Sequence, residues 1–395
     1  MSETIAITGK SVKLFKGHYT SVHFVKGTLP NFLLQGTLLS SRPEKPKEGF
    51  MSQKASPKVP RPRTDDRPLW DVTYAIYGYP ALLLAHRLKL FPLLAEKART
   101  LPEVCDALKI KRRPAQAILS AATALGFLHL REDARYSLTA LAEDYLLEGS
   151  PAYFGFFWDL VIDNYQVCSF ASLEKAVLTD SAQVYGGGDI FKSHEEQAEL
   201  ARAFTRGMHS ISMAPASAWP ELIDLSQHRL MLDVAGGSAA HSIGAVLRWP
   251  HLQAIVFDRG PVCEVAKQSI ARYGLDSRIG TQTGDMWNDL FPSADLHFYS
   301  NIYHDWTPEK CRFLTAKSAE SLDSGGRLIV HEVLYNDEKI GPFAAAAFSM
   351  GMMGWTEGEQ YSGRELSDML RGAGFRDVQV KPTFGYYSMV TGLKP

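Results

Sequence analysis

The C-terminal part of the chain alternates short apolar runs with segments of helical period. From about residue 228 the apolar runs are "RLMLDVAGG", "LQAIVFDR", "DLHFYSNIYHDW" and "GGRLIVHEVL", with helical segments such as "CEVAKQSIARYG" between them. Short strands joined by helical crossovers predict a parallel sheet with helices on both faces. The chain closes with a helix, "GRELSDMLRGAGF", and two strands, "RDVQVKPT" and "YYSMVTGLK", whose short connection makes them antiparallel. We therefore expect an α/β domain whose mostly parallel sheet ends in a hairpin.

The middle of the chain has a helical apolar period instead. "WDVTYAIYGYPALLLAHRLKLFPLL" predicts one or two buried helices, followed by "LPEVCDALKI", "PAQAILSAATALGFL" and the hairpin-like "LHLREDARYSLTALAEDYL". Helix, turn, helix and small hairpin is the order of a winged helix, and the helices after it suit a connecting layer. We divide the chain into an N-terminal extension and linker (1–67), a winged-helix-like and helical connecting domain (68–215) and the α/β domain (216–395).

Composition and charge narrow the class of protein. Residues 41–67 are rich in Pro, Lys, Arg and Ser, which predicts a disordered linker, and we interpret residues 1–50 as an accessory extension. The net charge of −1 gives no general attraction to nucleic acid or acidic membranes, and no apolar run approaches the roughly 18 residues of a membrane helix. The four cysteines form no CxxC pair and no signal-peptide pattern is present, so we expect a cytoplasmic protein without a metal.

Small and acidic residues follow the first two strands of the α/β domain. In an open α/β sheet, a ligand lies beyond the carboxyl ends of the strands, where small residues let the backbone approach it. The first strand ends in "DVAGG", which places Asp233 before a turn at Gly236 and Gly237, and a carboxylate there suits an ammonium group. The second strand ends in Asp258, 25 residues later, where a carboxylate can accept both hydroxyls of a ribose.

The third strand ends in "GDMW", which contains Gly284, Asp285 and Met286. Asp285 can accept from the amino group of an adenine, and the thioether of Met286 can lie against the ring face. A dinucleotide would need the spacing G-x-G-x-x-G for its pyrophosphate, which "AGGSAAHS" lacks. S-adenosylmethionine has no phosphate and tolerates looser glycine usage, so this cofactor is favoured.

Over about residues 68–395 the chain resembles the metal-independent small-molecule O-methyltransferases of the plant caffeic acid and bacterial polyketide type. The motifs that carry the resemblance are "LDVAGG", "VFD", "GDM", "HDW" and "GGRLIVHE", in this order and at family-like spacing. The resemblance implies a Rossmann-like class I methyltransferase fold with a seven-stranded sheet, preceded by a winged-helix-like dimerisation domain. It also implies methyl transfer to a phenolic or enolic hydroxyl, and homodimers that complete each other's pockets.

The resemblance further implies that His304 of "HDW" is the general base and that Glu332, after the last parallel strand, orients it. A phenol with a pKa of about 10 attacks slowly, and an imidazole within hydrogen-bond reach can take its proton during transfer. Glu332 would hold the imidazole in one tautomer and stabilise its cation. We interpret Asp305 as the N-terminal residue of the helix in "DWTPEKC" rather than as a catalytic group.

The chain departs from the family pattern at several positions. Ala235 and Ala239 stand where glycines are usual, and Ser300, a candidate cofactor ligand, stands where plant members often carry a lysine. A second glutamate that flanks the histidine in many members falls on Gln360, which we keep as a catalytic candidate. An amide can hydrogen-bond the imidazole but cannot stabilise its cation by charge, so reduced basicity or a more acidic acceptor would follow.

Two segments supply candidate contacts to the methyl acceptor. "AAAAFSMGMMGW" holds Met350, Met352, Met353 and Trp355, and "TRGMHSISM" on the connecting helix holds Met208 and His209. Thioethers pack well against aromatic rings, so these side chains predict a flat, fairly apolar acceptor. Ordinary core packing explains the same residues equally well.

Two other classes of protein stay open. A winged-helix regulator would bind duplex DNA, but the helix after "KIKRRP" offers Ala, Ile, Leu and Ser with a single Gln116, so we predict no nucleic-acid partner. A relative with altered chemistry, such as a decarboxylase, a hydroxylase or a ligand-binding protein, is suggested by Ala239 and Gln360.

Overall fold

The computed structural model of the chain describes residues 61–187, 190, 191, 193 and 197–395. The N-terminal extension and most of the predicted linker therefore lie outside the described residues. The α-helices with described bounds are α1 (Arg67–Arg87), α2 (Leu90–Glu96), α3 (Leu101–Leu108), α4 (Arg112–Ala124), α5 (Ala140–Leu146), α6 (Gly155–Asp163), α7 (Phe170–Thr179), α8 (Ala198–Ala218), α9 (Ala240–Arg248), α10 (Gly260–Arg272), α11 (Pro308–Ser321), α12 (Phe343–Trp355) and α13 (Gly363–Gly372).

The strands form two sheets within the described residues. They are β1 (Arg99–Thr100), β2 (Leu128–Leu130), β3 (Arg135–Leu138), β4 (Leu230–Val234), β5 (Gln253–Asp258), β6 (Ile279–Thr283), β7 (Leu296–Ser300), β8 (Arg327–Val333), β9 (Arg376–Pro382) and β10 (Tyr387–Leu393). The small sheet has the order β1-β3-β2, and its pairs are antiparallel. The large sheet has the order β6-β5-β4-β7-β8-β10-β9.

The first helices confirm the predicted helical period but correct the predicted burial. Leu82 and Leu83, in the second half of α1, lie in the core. In its first half, Leu69 and Ile76 keep 71% and 66% of their surface exposed within one copy of the chain. The prediction of fully buried helices is therefore wrong for the first half of α1, because the described part of the same chain does not cover its apolar face.

Local capping determines where α3 begins, next to the small sheet. The Thr100 hydroxyl accepts from the backbone N–H of Glu103, and the Glu103 carboxylate accepts in return from the backbone N–H of Thr100 at 2.6 Å. Arg135 of β3 also pairs with Glu103 at 2.7 Å, which ties the hairpin to this helix. The predicted order of helix, turn, helix and hairpin is thus present in the chain.

The long helix α8 joins the helical region to the α/β domain. Gly207 lets it approach α6, because a Cβ built at Gly207 would lie 2.9 Å from the Leu160 side chain. Near its C-terminal end α8 packs against α9, where a Cβ built at Gly244 would overlap the backbone of Ala216. Close packing at its middle and near its C-terminal end holds α8 between the two regions.

The large sheet confirms the predicted α/β architecture. β4, β5, β6, β7 and β8 pair in parallel, and β10 pairs antiparallel with both β8 and β9. The chain runs outward from β4 to β6 and then returns to β7 on the other side of β4. The strand order thus reverses between β4 and β7, and a crevice opens beyond their carboxyl ends, the usual ligand position in such sheets.

Candidate active site

A cavity of about 610 Å³ lies at this crevice, between the carboxyl edge of the large sheet and the helices above it. One end is lined by the turns after β4, β5 and β6 and carries the three predicted acidic residues. The other end is lined by apolar side chains of α6, α8 and α12, and His304 lies on the wall. The cavity therefore has a polar end and an apolar end.

The turn after β4 forms a narrow cradle at the polar end. Asp233 is buried, and its carboxylate accepts a hydrogen bond from the Ser242 hydroxyl at 2.7 Å. A Cβ built at Gly236 would lie only 2.6 Å from the Asp233 carboxyl carbon, and Gly237 has φ +58. A side chain at Gly236 would clash with Asp233, and Gly237 has a left-handed backbone that glycine adopts without strain. Burial raises the pKa of Asp233 to about 7.

Asp258 closes the cradle from the end of β5. Its carboxylate accepts from the backbone N–H of Gly237 at 2.9 Å and from that of Arg259 at 2.7 Å. Burial raises the pKa of Asp258 to about 6, although both hydrogen bonds oppose the shift. One carboxylate thus shapes the turn after β4 and also faces the cavity.

The turn after β6 brings Gly284, Asp285 and Met286 to the same end of the cavity. A Cβ at Gly284 would overlap the Phe257 ring, so only glycine lets the chain pass here. Partial burial raises the pKa of Asp285, but hydrogen bonds, the first from the backbone N–H of Trp287, outweigh it, and the net pKa is lowered. Trp287 also lines the cavity, a contact that the sequence analysis did not identify.

His304 and Glu332 are brought together by neighbouring strand ends. The imidazole Nδ1 lies 2.6 Å from a carboxylate oxygen of Glu332, and both residues are buried. The second oxygen of Glu332 accepts from the backbone N–H groups of Ile302 and Tyr303 at 3.0 Å each. The carboxylate is thus held by three hydrogen bonds. The ring of His304 lies 4.9 Å from that of Phe348 on α12.

Asp305 does not cap the following helix as the sequence analysis expected. Thr307 occupies the cap position of α11, and its hydroxyl accepts from the backbone N–H of Lys310. Asp305 is buried, with a carboxylate oxygen 3.6 Å from Nε2 of His304, and it lines the cavity. Burial alone would lower the pKa of His304, but Glu332 and Asp305 outweigh it and raise this pKa to about 9.

Gln360 and Ser300 occupy different environments. Gln360 is fully buried, and its side-chain amide has no hydrogen-bond partner among the described residues. It is not part of the cavity lining, so the structure does not place it against a ligand. Ser300 lines the cavity, and its hydroxyl lies 3.0 Å from Nδ1 of His331.

The predicted acceptor contacts separate into two groups. Met208, Met352 and Trp355 line the apolar end of the cavity. Met350 is 47% exposed and lies outside the lining, and Met353 faces a neighbouring cavity instead. His209 lies behind the wall, with Nδ1 2.7 Å from the Ser238 hydroxyl.

The apolar end includes further residues that sequence reasoning missed. They come from α6, α8 and α12 and are aromatic or aliphatic: Phe157, Leu160, Val161, Ile211 and Phe348. Phe348 of α12 could have been identified only if the rotation of that helix about its axis were known. The segment is apolar on all sides, so its sequence does not show which face meets the cavity. Among the described residues no helix is both long and apolar enough to cross a membrane, and no cluster of metal-ligating side chains occurs.

The residues at the polar end fit S-adenosylmethionine. The glycine cradle leaves room for a ligand against the backbone, and the carboxylates of Asp233 and Asp258 suit its ammonium group and ribose hydroxyls. The buried imidazole of His241, which also lines the cavity, has no hydrogen-bond partner among the described residues. A ligand atom at this end of the cavity could supply a hydrogen-bond partner for this ring.

The chain is similar to one family model and to curated relatives. The family model of the O-methyltransferase domain matches residues 170–376. A 3-hydroxy-5-methyl-1-naphthoate 3-O-methyltransferase of Streptomyces sahachiroi is 36% identical over 312 residues, 79% of this chain and 90% of that protein. Acetylserotonin O-methyltransferase of Bos taurus is 30% identical, over 79% of this chain and 93% of that relative.

A solved structure shows the same architecture. Human N-acetylserotonin methyltransferase, in complex with S-adenosylmethionine, aligns with a TM-score of 0.75 and 26% identity, covering 84% of this chain and 99% of that chain. The family resemblance, the class I methyltransferase fold and the cofactor are thereby confirmed. The chain belongs to the S-adenosylmethionine-dependent O-methyltransferases.

Proposed function

We propose that the chain methylates a hydroxyl group of a small, flat aromatic or enolic metabolite, with His304 as the general base. The observation that carries the proposal is the imidazole of His304 on the cavity wall, 2.6 Å from the buried carboxylate of Glu332. Relatives named as O-methyltransferases of a naphthoate and of acetylserotonin support an aromatic acceptor.

The tautomer of His304 follows from its partner. Because an ionised carboxylate only accepts hydrogen bonds, the ring proton belongs on Nδ1, and Nε2 is the basic atom. Bound S-adenosylmethionine would supply an electrophilic methyl group and would leave as S-adenosylhomocysteine, with the electron pair of the broken carbon–sulfur bond on sulfur. Nε2 takes the proton of the acceptor hydroxyl while the acceptor oxygen bonds to the methyl carbon. The carboxylates of Glu332 and Asp305 stabilise the imidazolium that results.

The acceptor is held mainly by shape. Phe157, Met208 and Phe348 present apolar surface around the base, and such walls align a planar ring without requiring charge on it. Methyl transfer needs the attacking oxygen close to the methyl carbon and in line with the breaking bond, so rigid walls raise the rate by positioning.

The predicted cofactor contacts extend this proposal to the polar end of the cavity. We assign the ammonium group to Asp233, the ribose hydroxyls to Asp258, and the adenine to Asp285 and Met286. The glycines would let the cofactor approach the backbone closely, and Ser300 would make a further polar contact with it. These assignments are supported by cavity position: Gly236, Gly237 and Gly284 line the same end as the carboxylates.

A homodimer also belongs to this proposal. Leu69, Val72 and Ile76, spaced three and four residues apart on α1, form an apolar stripe that one copy of the chain leaves exposed. A second copy is the natural cover for such a stripe, and the family resemblance implies the same arrangement. A cytoplasmic location stays a prediction from the sequence.

The function is tested by incubating the enzyme with labelled S-adenosylmethionine and a panel of phenols, enols and naphthols. Mass spectrometry then identifies any labelled product, and fragmentation separates O-methyl from C-methyl or N-methyl products. We expect O-methylation of planar aromatic or enolic acceptors. Decarboxylated or hydroxylated products, or no labelled product across the panel, would contradict the proposal.

The base is tested with His304→Gln. We expect turnover to fall by about 10²-fold or more, the usual scale for loss of a general base, with the Kd for the cofactor unchanged by calorimetry. A matched control is His251→Gln, because His251 lies near the backbone carbonyl of Leu225 and the ring of Trp249 and is outside the cavity lining. Equal turnover in both variants would remove His304 from the mechanism.

A further inference from the structure

His241 is a buried histidine at the polar end of the cavity that none of the preceding steps uses. It is the second residue of α9, immediately after the glycine cradle, and lines the cavity. Its ring lies 5.1 Å from that of Phe298 on β7 and 5.3 Å from that of His331 on β8. The imidazole thus sits at the reversal of strand order between β4 and β7.

The polar groups around His241 have partners, whereas its own ring nitrogens do not. The carboxylate of Asp233 accepts from Ser242, and His331 lies within hydrogen-bond distance of Ser300 at 3.0 Å and of Thr383 at 2.9 Å. Both nitrogens of His241 are buried and have no hydrogen-bond partner among the described residues. A buried donor without a partner is unfavourable, so a ligand atom that accepts its hydrogen bond would bind more tightly.

The position of His241 indicates which part of the cofactor it meets. Along the sheet edge, Asp285 follows β6, Asp258 ends β5, and Asp233 lies in β4. If the adenosine occupies the outer two carboxylates, the amino-acid part reaches Asp233 and the adjoining crevice. An α-amino acid brings a carboxylate as well as an ammonium group. The three acidic side chains named here repel a carboxylate, so it needs a hydrogen-bond donor.

We propose that the imidazole of His241 donates a hydrogen bond to the α-carboxylate of bound S-adenosylmethionine. Burial lowers the pKa of this histidine to about 3, so the ring is neutral and offers one N–H. A neutral donor binds the carboxylate without adding a cation beside the sulfonium. The proposal rests on the cofactor contacts assigned under the proposed function and adds to them a contact with the α-carboxylate.

The experiment compares the Kd values of four ligands by calorimetry, so its outcome is independent of whether any acceptor is methylated. S-adenosylmethionine and S-adenosylhomocysteine carry the carboxylate, whereas decarboxylated S-adenosylmethionine and 5′-methylthioadenosine lack it. For His241→Leu we expect the first two to bind roughly 10- to 100-fold more weakly, the size of a lost hydrogen bond to a charged group. The other two ligands should bind as they do to the wild type.

Two further variants keep the test decisive. His241→Met fills a similar volume with a flexible chain that lacks a donor, and it carries the same expectation if the leucine variant folds poorly. His297→Leu is the matched control, because His297 is a buried histidine of β7 with one unpartnered nitrogen among the described residues and is not part of the cavity lining. It should leave the relative affinities of the four ligands unchanged.

The proposal is overturned by either of two results. One is unchanged binding of S-adenosylhomocysteine to both the leucine and the methionine variant. The other is equal weakening of all four ligands, because a ring that merely supports the cradle would affect ligands with and without a carboxylate alike.

Discussion

Ala235 and Ala239 show how single residues shape the cofactor cradle. Their φ values are 52 and 69, in the left-handed region that glycine adopts freely and that disfavours an L-residue by roughly 1–2 kcal/mol. Both stand where the family pattern usually has glycine. The turn nevertheless keeps the backbone conformation that glycine favours, so the two alanines are strained.

We expect Ala235→Gly to raise the free energy of unfolding by about 0.5–1 kcal/mol, because relief of the left-handed strain exceeds the added entropy of the unfolded chain. Denaturant unfolding measures the change. Ala239→Gly is the matched comparison, since its buried methyl group packs in the core and its loss offsets the gain. A destabilised Ala235→Gly would show that the turn is not strained at this position.

The raised pKa of His304 predicts a pH dependence. A base must be unprotonated to act, so with a pKa of about 9 the active fraction is small at pH 7 and grows as the pH rises. The kcat/KM of the wild type should therefore increase from pH 7 and level off above about 9. A flat profile over this range would contradict the assignment.

Glu332→Gln tests the origin of that pKa. Loss of the Glu332 carboxylate leaves only Asp305 to oppose the effect of burial on the pKa of His304, so the inflection in kcat/KM should move to lower pH. Turnover should also fall. An amide N–H of the glutamine would donate to Nδ1, which favours the tautomer with its proton on Nε2, and Nε2 could then no longer accept the proton of the acceptor hydroxyl. Asp337→Asn is a suitable control, since Asp337 pairs with Arg364 on the surface and should leave the profile unchanged.

At the scale of elements, the contact between α8 and α9 positions the cradle. Gly244 of α9 faces Ala216 of α8 so closely that a Cβ would overlap the carbonyl group of Ala216. Backbone cannot move aside as a side chain can, so the spacing of the two helices depends on this glycine. His241, one turn earlier on the same helix, lines the polar end of the cavity, and the hydroxyl of Ser242 donates to Asp233, so the contact also positions these two residues.

Gly244→Ala should lower the free energy of unfolding by about 1–3 kcal/mol, the usual scale for overpacking, and weaken cofactor binding. Gly351→Ala is the control within α12, where a Cβ meets nothing within 4 Å and the helical propensity of alanine should stabilise by up to about 1 kcal/mol. Thermal and denaturant unfolding distinguish the two signs. Equal effects would show that helix contact does not limit α9.

Elements were more predictable than the orientation of side chains on them. The strands that end in Asp233, Asp258 and Glu332 could be predicted because apolar runs and acidic ends are local in sequence. The predicted cap of α11 was wrong. Asp305 and Thr307 are both good cap residues, and only the burial of Asp305 beside His304 shows that Thr307 is the cap. Which methionine of α12 faces the cavity depends on the rotation of that helix, which a uniformly apolar segment does not reveal.

For the whole molecule, the exposed stripe on α1 predicts self-association. We expect Val72→Asp combined with Ile76→Asp to convert a dimer into a monomer, because each charge would be buried in the interface without a partner. Light scattering after size exclusion measures the mass. Leu290→Asp is the control, since Leu290 is an isolated apolar side chain that is 90% exposed. A monomeric wild type would rule out the dimer.

The sequence by itself determined the architecture of the α/β half, the cofactor class and the residues at the strand ends, because hydrophobic period and turn chemistry act over a few neighbouring residues. Only the tertiary structure decided that Asp305 faces His304, that Met350 stays outside the cavity, and that His241 lacks a partner. These features depend on contacts between residues far apart in the chain. Burial then shifts pKa values and leaves a donor unsatisfied, which no local pattern encodes.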